Sequence, residues 1–193
     1  MADEVLVVSP APVQLALSQL ASVCPSLATQ IDAPGLARLQ AFYQQQGDVA
    51  LWAEGERRTA LQAQLLLLAD DGLDPTHYSL HTAIATDNVL CGDIGTSQQY
   101  LQALQDLHFG RLQQSRFEPL WHSQPPVVDP DTEVLAMATV GLQDMAQAFD
   151  QARPSAPLYR SLRSAYAAAR QQPLPKWGTV GDGPLLRPGM EDS

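Results

Sequence analysis

Helix-start signals are the sequence feature that most restricts the fold of this chain. An aspartate is followed within two residues by proline at Asp32 and Pro34, at Asp74 and Pro75, and at Asp129 and Pro130. Aspartate is a preferred N-cap residue and proline is favoured in the first helical turn, so each site predicts a helix start. No stretch alternates apolar and polar residues convincingly over the length of a strand. The chain is therefore predicted to be all-α, an irregular bundle of about seven helices with an extended C-terminal tail rich in proline and glycine.

One junction between helices reads LLLLADDGLDPTHYSL, over residues 65–80. Gly72 stands where a helix stops in a left-handed conformation, and Leu73 supplies the apolar contact that accompanies such an ending. Asp74 is then expected to cap a helix that runs to about Thr86. The acids of this stretch are thereby assigned to local backbone chemistry rather than to catalysis.

The period of apolar residues, together with helix-stop and helix-cap residues, predicts the limits of two further helices. The first is expected to run unbroken over residues 12–24, with Pro25 as its stop. The third is expected to begin at a Thr59 cap and to be mostly buried, because it is rich in leucine. Its buried stripe is predicted to consist of Leu61, Leu65 and Leu68, widened by Leu66 and Leu67.

The second half of the chain is interpreted from the same signals. Residues 87–97 are predicted to form a loop, after which Ser97 starts a helix that Gly110 ends. Residues 111–128 are predicted to be irregular. One or two helices, broken near Gly141, then extend from the Asp129 cap, and a last helix is expected at 158–172. Its apolar stripe is Leu158, Leu162 and Tyr166.

Charge and hydropathy exclude several partners. The formal net charge is −10, Lys176 is the single lysine, and the arginines are scattered apart from Arg57 and Arg58. A nucleic-acid or anionic-membrane surface needs clustered positive charge, so neither partner is predicted. No stretch reaches the roughly 18 consecutive apolar residues of a membrane helix, so membrane insertion is not predicted.

Cys24 and Cys91 lie far apart and form no CxxC motif, which argues against a structural zinc site. Neither has the neighbouring base of a catalytic cysteine. In an oxidising compartment they could pair, and in the cytosol they would be two buried thiols; the residues alone leave both open.

Other candidate functional residues each have a plainer interpretation. His77 and His81 share one predicted helix face, but a third metal ligand is lacking, so solvent-facing histidines are favoured. A glycan hydrolase with paired carboxylates is a further hypothesis that no residue pattern requires. No catalytic, cofactor-binding or metal residue is predicted. The larger aromatic residues could line a sugar-binding groove, although core positions are favoured for Tyr43, Trp52, Tyr78, Trp121 and Tyr166.

Five separated motifs occur in one order: FYQQQGDVALW (42–52), LLLLADDGLDPTHY (65–78), YLQALQDLHFGRL (100–112), PLYRSLRSAYAAAR (157–170) and WGTVGDGPLLRPGMED (177–192). Together they resemble the N-terminal helical scaffold domain of the large periplasmic murein L,D-transpeptidases of Gram-negative bacteria. The resemblance covers about residues 36–192 and is weaker over residues 121–154.

The resemblance implies a noncatalytic role in peptidoglycan cross-linking and cell-wall biogenesis. In that family, catalysis belongs to a downstream YkuD-type domain with a cysteine in a His-Gly-Cys-x-Arg type motif. Neither Cys24 nor Cys91 matches it. The implied role is to support and position the catalytic module, without a cofactor. The implied partners are the catalytic and peptidoglycan-binding modules of the parent chain, and peptidoglycan.

The same resemblance implies a periplasmic location after removal of a signal peptide, where a Cys24–Cys91 disulfide could form. The implied domains are an N-terminal extension with the first helix (1–31), a helical scaffold domain (32–172) and an extended linker toward a missing downstream module (173–193). The scaffold interpretation predicts an exposed apolar patch where missing modules dock. The alternative is a stand-alone periplasmic module that binds peptidoglycan or protein.

Overall fold

Helices account for the regular structure throughout the part of the chain that the computed structural model describes, namely residues 12–78, 88–112 and 129–173 and Gly178. This part contains no strand, which confirms the all-α prediction. Two 3₁₀ helices span Leu68–Asp71 and Pro75–Tyr78. The α-helices are α1 (Pro12–Ser18), α2 (Leu20–Val23), α3 (Pro25–Ala28), α4 (Ala33–Gln45), α5 (Gly55–Leu67), α6 (Val89–Phe109), α7 (Pro130–Gly141), α8 (Met145–Ala152) and α9 (Pro157–Arg170).

The long helix α6 forms the centre of the bundle and contacts α1, α4, α7 and α8. Its buried Tyr100 ring lies 5.6 Å from the ring of Trp52, 6.1 Å from that of Phe149 and 6.3 Å from that of Phe42. The Tyr100 hydroxyl donates to the carbonyl oxygen of Ala138, 3.0 Å away. This aromatic cluster joins α4, α6, α7 and α8 in one core. Among the described residues, no helix is long and apolar enough to cross a membrane.

The prediction of a loop over residues 87–97 was wrong, because α6 already begins at Val89. The side chain of Asn88 accepts a hydrogen bond from a backbone N–H of the first turn and caps the helix. Two glycines and several polar residues make this segment a poor helix former by itself. Burial of Ile94, together with the hydrogen bonds that Asp93 and Ser97 make in the core, overrides that weak local preference.

The first predicted helix is divided into three short ones. Gln19, at φ −119° and ψ 33°, interrupts the helical backbone between α1 and α2. Pro25 does not simply end a helix, since it is the first residue of α3, where its missing N–H is not needed. Leu17 and Leu20 on either side of the break are both buried. The prediction of one helix over residues 12–24 was therefore wrong.

A disulfide fastens these N-terminal helices to the first turn of α6. The Sγ atoms of Cys24 and Cys91 are 2.00 Å apart, and their Cα atoms are 5.6 Å apart. Both residues are buried. Of the two states that the sequence left open, the structure has the paired one.

Helix α5 begins earlier and is less buried than predicted. It starts at Gly55, and the hydroxyl of Thr59 donates to the carbonyl oxygen of Gly55 instead of capping the helix. Leu61 lies in the core, but Leu66 and Leu67 are 58% and 43% exposed, so they do not widen the buried stripe. The reason is that α5 is covered on one side, where it meets α8.

The junction after α5 confirms the predicted stop and restart. Gly72 has a left-handed backbone with φ 80°, and the N–H of Leu73 donates to the carbonyl oxygen five residues earlier. Asp74 then caps the second 3₁₀ helix by accepting from the N–H of Thr76 at 2.9 Å. The continuation of this helix to Thr86 lies outside the described residues.

After the second gap, α7 begins at the predicted Asp129 cap, and α8 begins at an Asp144 cap that was not predicted. Asp129 caps α7 and Asp144 caps α8, each by accepting from a backbone N–H at 3.0 Å. The predicted break near Gly141 is confirmed, because α7 ends there. The predictions of an irregular segment and of an extended tail are tested only in part, because residues 113–128 and 179–193 lie outside the described residues.

Candidate functional site

Helix α9 presents an apolar face that the described part of the protein leaves uncovered. Leu158, Leu162 and Tyr166 are 69%, 60% and 48% exposed, and we call these three side chains the apolar row. Their spacing of four residues aligns them over roughly 12 Å of helix. None of the residues of α9 is buried. The three side chains therefore align on one face of α9 as predicted, but this face lies on the surface and not in the core.

Polar side chains attach α9 to the rest of the bundle through Asp71, the last residue of the first 3₁₀ helix. The Asp71 side chain is completely buried. Its Oδ1 accepts from Arg163 Nε at 2.6 Å and from the Tyr159 hydroxyl at 2.9 Å. Arg153, just after α8, donates through Nε and Nη2 at 3.1 Å. One carboxylate thus joins the end of α8, the first half of α9 and the turn after α5.

The pKa values of Tyr159 and Arg153 in this cluster are raised. Burial raises the pKa of Tyr159 to about 12, and the hydrogen bond and charge of Asp71 act in the same direction. Burial by itself lowers the pKa of Arg153, but hydrogen bonding to Asp71 and the charges of Asp71 and Asp150 raise it above its ordinary value overall. Tyr159 therefore remains a phenol and Arg153 a guanidinium.

Asp70 extends the same network to the C-terminal half of α9. Its Oδ1 accepts from Arg170 Nη1 at 3.3 Å, and its Oδ2 lies 3.8 Å from Arg163 Nη2. Assigning Asp70 and Asp71 to helix-terminus chemistry was therefore wrong, because their side chains reach residues far along the chain. Asp74 keeps the predicted capping role, and its hydrogen bonds from the backbone and hydroxyl of Thr76 lower its pKa.

A shallow depression of about 340 Å³ opens between α9 and the turn at residues 70–72. Leu162 and Tyr166 of the apolar row form one wall, while Arg163 and Tyr159 border the polar side. An apolar wall beside fixed polar groups is an arrangement that can receive a side chain from a partner. The depression and the apolar row together form the candidate functional site.

A second buried carboxylate, Asp93 of α6, serves the core. It accepts from the Tyr43 hydroxyl at 2.5 Å and from the backbone N–H groups of Leu51 and Trp52 at 2.9 and 2.8 Å. Ser97 Oγ lies 2.8 Å from both the Tyr43 hydroxyl and Trp52 Nε1. Burial raises the pKa of Tyr43 well above its ordinary value, and the charge of Asp93 adds to the effect. The cluster fastens the segment between α4 and α5 to α6.

The histidines predicted as solvent-facing are only partly described. His77 is about half exposed, and its Nδ1 lies 3.7 Å from Asp74 Oδ2. His81 lies outside the described residues. Over residues 12–78, 88–112 and 129–173, no three His, Cys, Asp or Glu side chains are grouped so that they could hold a metal ion.

Three of the five aromatic residues considered for a sugar groove are core residues, as favoured from the sequence. Tyr43, Trp52 and Tyr78 are at most 3% exposed. Tyr78 donates to Asp106 Oδ2 at 2.7 Å, and burial together with that hydrogen bond raises its pKa. Tyr166 differs, because it belongs to the apolar row. Trp121 lies outside the described residues.

The described residues thus form a helical bundle in which the buried carboxylates of Asp71 and Asp93 serve internal contacts and α9 exposes an apolar face. Residues 37–165, which are more than half of the chain, match the family described as Scaffold domain. The protein belongs to this family. The matched range includes Asp71, Asp93 and the first part of α9. No curated protein sequence and no solved structure matches the chain.

Proposed function

We propose that this protein is the noncatalytic scaffold domain of a periplasmic L,D-transpeptidase and that it supports and positions the module that cross-links peptidoglycan. Membership of the Scaffold domain family is the observation that carries the proposal. Three of the motifs that resemble these enzymes lie wholly inside the matched residues 37–165: FYQQQGDVALW, LLLLADDGLDPTHY and YLQALQDLHFGRL.

Two features of the structure support this role. The Asp93 cluster, the aromatic cluster around Tyr100 and the Cys24–Cys91 disulfide tie α1–α8 into one core, which a positioning domain requires. The apolar row offers a contact surface outside that core. A disulfide is also typical of oxidising compartments such as the periplasm, which agrees with the proposed location.

The proposed partners are the catalytic and peptidoglycan-binding modules of the parent polypeptide, with peptidoglycan as a further ligand. The carboxylates that we find buried are engaged with arginine, tyrosine or backbone N–H groups, which suits a structural role better than an acid–base one. The alternative is a stand-alone periplasmic module that binds peptidoglycan or protein. It predicts that the protein binds its ligand by itself, without an effect on a catalytic module.

The test uses the purified protein with isolated murein sacculi. Sedimentation measures binding, and mass spectrometry of the digested sacculi measures changes in muropeptides. In a second arm, the protein is added to a purified YkuD-type catalytic module from the same organism, and new cross-links between stem peptides are counted. An acidic helical domain of similar size and unrelated sequence serves as the control.

We expect the protein alone to leave the muropeptides unchanged and to increase cross-linking by the catalytic module. New muropeptides made by the protein alone would contradict a noncatalytic role. Sedimentation with sacculi without any effect on the catalytic module would support the stand-alone binding module instead. No effect in any arm would contradict the positioning role.

A further inference from the structure

We propose that a cavity between the end of α8 and the first half of α9 binds the free carboxylate of a peptide, and that Arg160 is the residue that pairs with it. The cavity has a volume of about 530 Å³. This inference deepens the proposed function, on which the choice of a peptide rests, by naming a binding site and the chemical group that it takes. Three observations carry it: the residues that line the cavity, the balance of charge around it and the position of Arg160.

Guanidinium and hydroxyl groups line this cavity, which we call the arginine cavity. The arginines are Arg153 at the end of α8, and Arg160 and Arg163 on α9. Ser155, in the turn between the two helices, and Ser164 on α9 contribute hydroxyls. Both kinds of group donate hydrogen bonds, and guanidinium groups bind carboxylates strongly because the bonds are assisted by charge. The lining therefore suits a ligand with anionic oxygen atoms.

Two of the three arginines are already paired with acids, so they serve as a fixed wall. The side chain of Arg153 is 10% exposed and donates to Asp71 through Nε and Nη2, and to Asp150 through Nη1. Arg163 donates to Asp71 through Nε and lies near Asp70. The charges of these two guanidinium groups are compensated, and neither is assigned to the ligand.

Arg160 supplies the positive charge that the surrounding acids leave uncompensated. Within the described part of the chain, no carboxylate forms an ion pair with its guanidinium group. The cavity and the ion pairs behind it comprise four arginines and three aspartates, namely Arg153, Arg160, Arg163, Arg170, Asp70, Asp71 and Asp150. Four positive charges against three negative ones leave one positive charge over. This surplus is notable because the chain as a whole has a net charge of −10.

A backbone carbonyl group holds Arg160 beside the arginine cavity. Its Nη2 donates to the carbonyl oxygen of Ser155 at 3.1 Å. A neutral acceptor orients the guanidinium group without neutralising it, and the N–H donors that this bond does not use are left for the two oxygens of a carboxylate. Arg160 is also exposed, so a ligand can reach it from solvent.

The charge balance and the size of the cavity favour the end of a peptide as the ligand. A carboxylate carries one negative charge, which matches the surplus, whereas a phosphate ester carries about −1.5 to −2 at neutral pH. The volume lies within the range of roughly 300 to 1,000 Å³ that is common for small-ligand sites, so it accommodates more than a single carboxylate. The hydroxyls of Ser155 and Ser164 can bond to peptide groups next to the carboxylate.

The test is an NMR titration of the full chain with acetylated dipeptides. N-acetyl-D-alanyl-D-alanine presents a free carboxylate, and the same dipeptide with a C-terminal amide is the matched control ligand. We expect the free acid to bind with a Kd on the order of 1 mM. The amide should bind at least about tenfold more weakly, because it loses the hydrogen bonds to a charged group. The backbone amide resonances of Ser155, Arg160 and Ser164 should shift most.

Arg160→Gln should weaken binding of the free acid by about tenfold, and Arg160→Lys should retain part of the affinity because it keeps the charge. Arg58→Gln is the matched control, because it removes the same charge from α5, and Arg58 does not line the arginine cavity. It should bind like the unaltered protein. Since Arg160 is exposed, circular dichroism should show that its variants are folded.

Equal binding of the acid and the amide, or no binding of either, would overturn the proposal. So would unchanged binding in Arg160→Gln, loss of binding in Arg58→Gln, or tighter binding of inorganic phosphate than of the acid at the same residues.

A further arm with N-acetyl-L-alanyl-L-alanine distinguishes the source of the carboxylate. Tighter binding of the D-dipeptide supports the stem peptides of peptidoglycan as the ligand. Tighter binding of the L-dipeptide supports the carboxylate site with the C-terminus of a protein as its ligand. The proposed function fails separately: binding of the acid without any effect on a transpeptidase module leaves the carboxylate site intact. Stimulation of that module by a protein that binds no dipeptide would remove the carboxylate site alone.

Discussion

Arg163 Nε lies 2.6 Å from Asp71 Oδ1, across a separation of 92 residues in the sequence. This contact joins α9 to the turn that follows α5. Because α9 has no buried residue, its position depends on this pair and on the neighbouring bonds from Tyr159 and Arg153 to the same carboxylate. The orientation of the apolar row therefore depends on the buried Asp71 side chain, with a further contribution from Asp70 through Arg170.

Asp71→Asn tests this dependence. The change should lower the free energy of unfolding by about 2 to 3 kcal/mol, because it removes the buried charge that Arg153 and Arg163 share and leaves each with a more exposed carboxylate. Urea unfolding measures the loss. Asp150→Asn is the control, since Asp150 is 78% exposed and pairs with Arg153, and it should cost less than about 1 kcal/mol. Equal effects of the two changes would contradict the central role of Asp71.

Asp93→Asn should destabilise the core by about 3 kcal/mol, since hydrogen bonds to a charged acceptor are strong and the new amide places N–H against a backbone donor. Chemical denaturation followed by tryptophan fluorescence reports on this site directly through Trp52, which donates to Asp93 and Ser97. Asp129→Asn is the matched control, because asparagine caps a helix as well as aspartate does. A variant at Asp93 as stable as this control would show that the cluster is dispensable.

Gly141→Ala should cost about 1 to 3 kcal/mol through overpacking. A Cβ at this position would lie 2.8 Å from the Cβ of Ala148 and would collide with the Tyr100 hydroxyl. Gly55→Ala provides the comparison, because nothing lies within 4 Å of its Cβ position. It should be neutral or slightly stabilising in thermal unfolding. A neutral Gly141→Ala protein would mean that α7 and α8 pack less tightly than described.

Replacing both cysteines by serine should lower the free energy of unfolding by about 4 kcal/mol, the value expected from loop-closure entropy for a cross-link across 67 residues. A reductant should cause the same fall in the urea midpoint of the unaltered protein. It should have no effect on the double variant, which controls for other actions of the reductant. A midpoint that neither treatment changes would rule out a stabilising disulfide.

Alkaline titration tests the environment of Tyr159. The folded protein raises the pKa of this phenol from 10.0 to about 12, so its contribution to stability is complete below pH 10.0 and is lost as the pH rises toward about 12. Tyrosinate absorbance should show a residue that ionises late in the unaltered protein and is missing in Tyr159→Phe. If the difference spectrum between the two proteins shows ordinary tyrosine ionisation, Tyr159 is not held against Asp71.

Helix boundaries were predicted well where they depend on neighbours in the chain. Asp32, Asp74 and Asp129 accept the backbone N–H groups expected of caps, and Gly72 has the left-handed conformation expected of a stop. These interactions span two to five residues, so they follow from local geometry. The all-α class follows for the same reason, because helical periodicity is itself a local property.

The candidate site and the polar core could not be predicted in this way. Asp93 binds groups 41 to 50 residues away, and it lies in a segment whose local composition favoured a loop. A polar residue within the apolar face of a helix was the one available signal, and it does not identify the partner. Asp71 likewise binds groups 82 to 92 residues away.

The sequence by itself determined the all-α class, the starts at Asp32, Asp74 and Asp129, and the apolar side of α9. Only the tertiary structure decided which apolar sides are covered, because covering depends on elements that come together from distant parts of the chain. For α4 and α6 the covering elements are present, and for the apolar row of α9 the described residues supply none. Periodicity shows that a helix face must be buried against something, and the packing of the whole chain determines what that is.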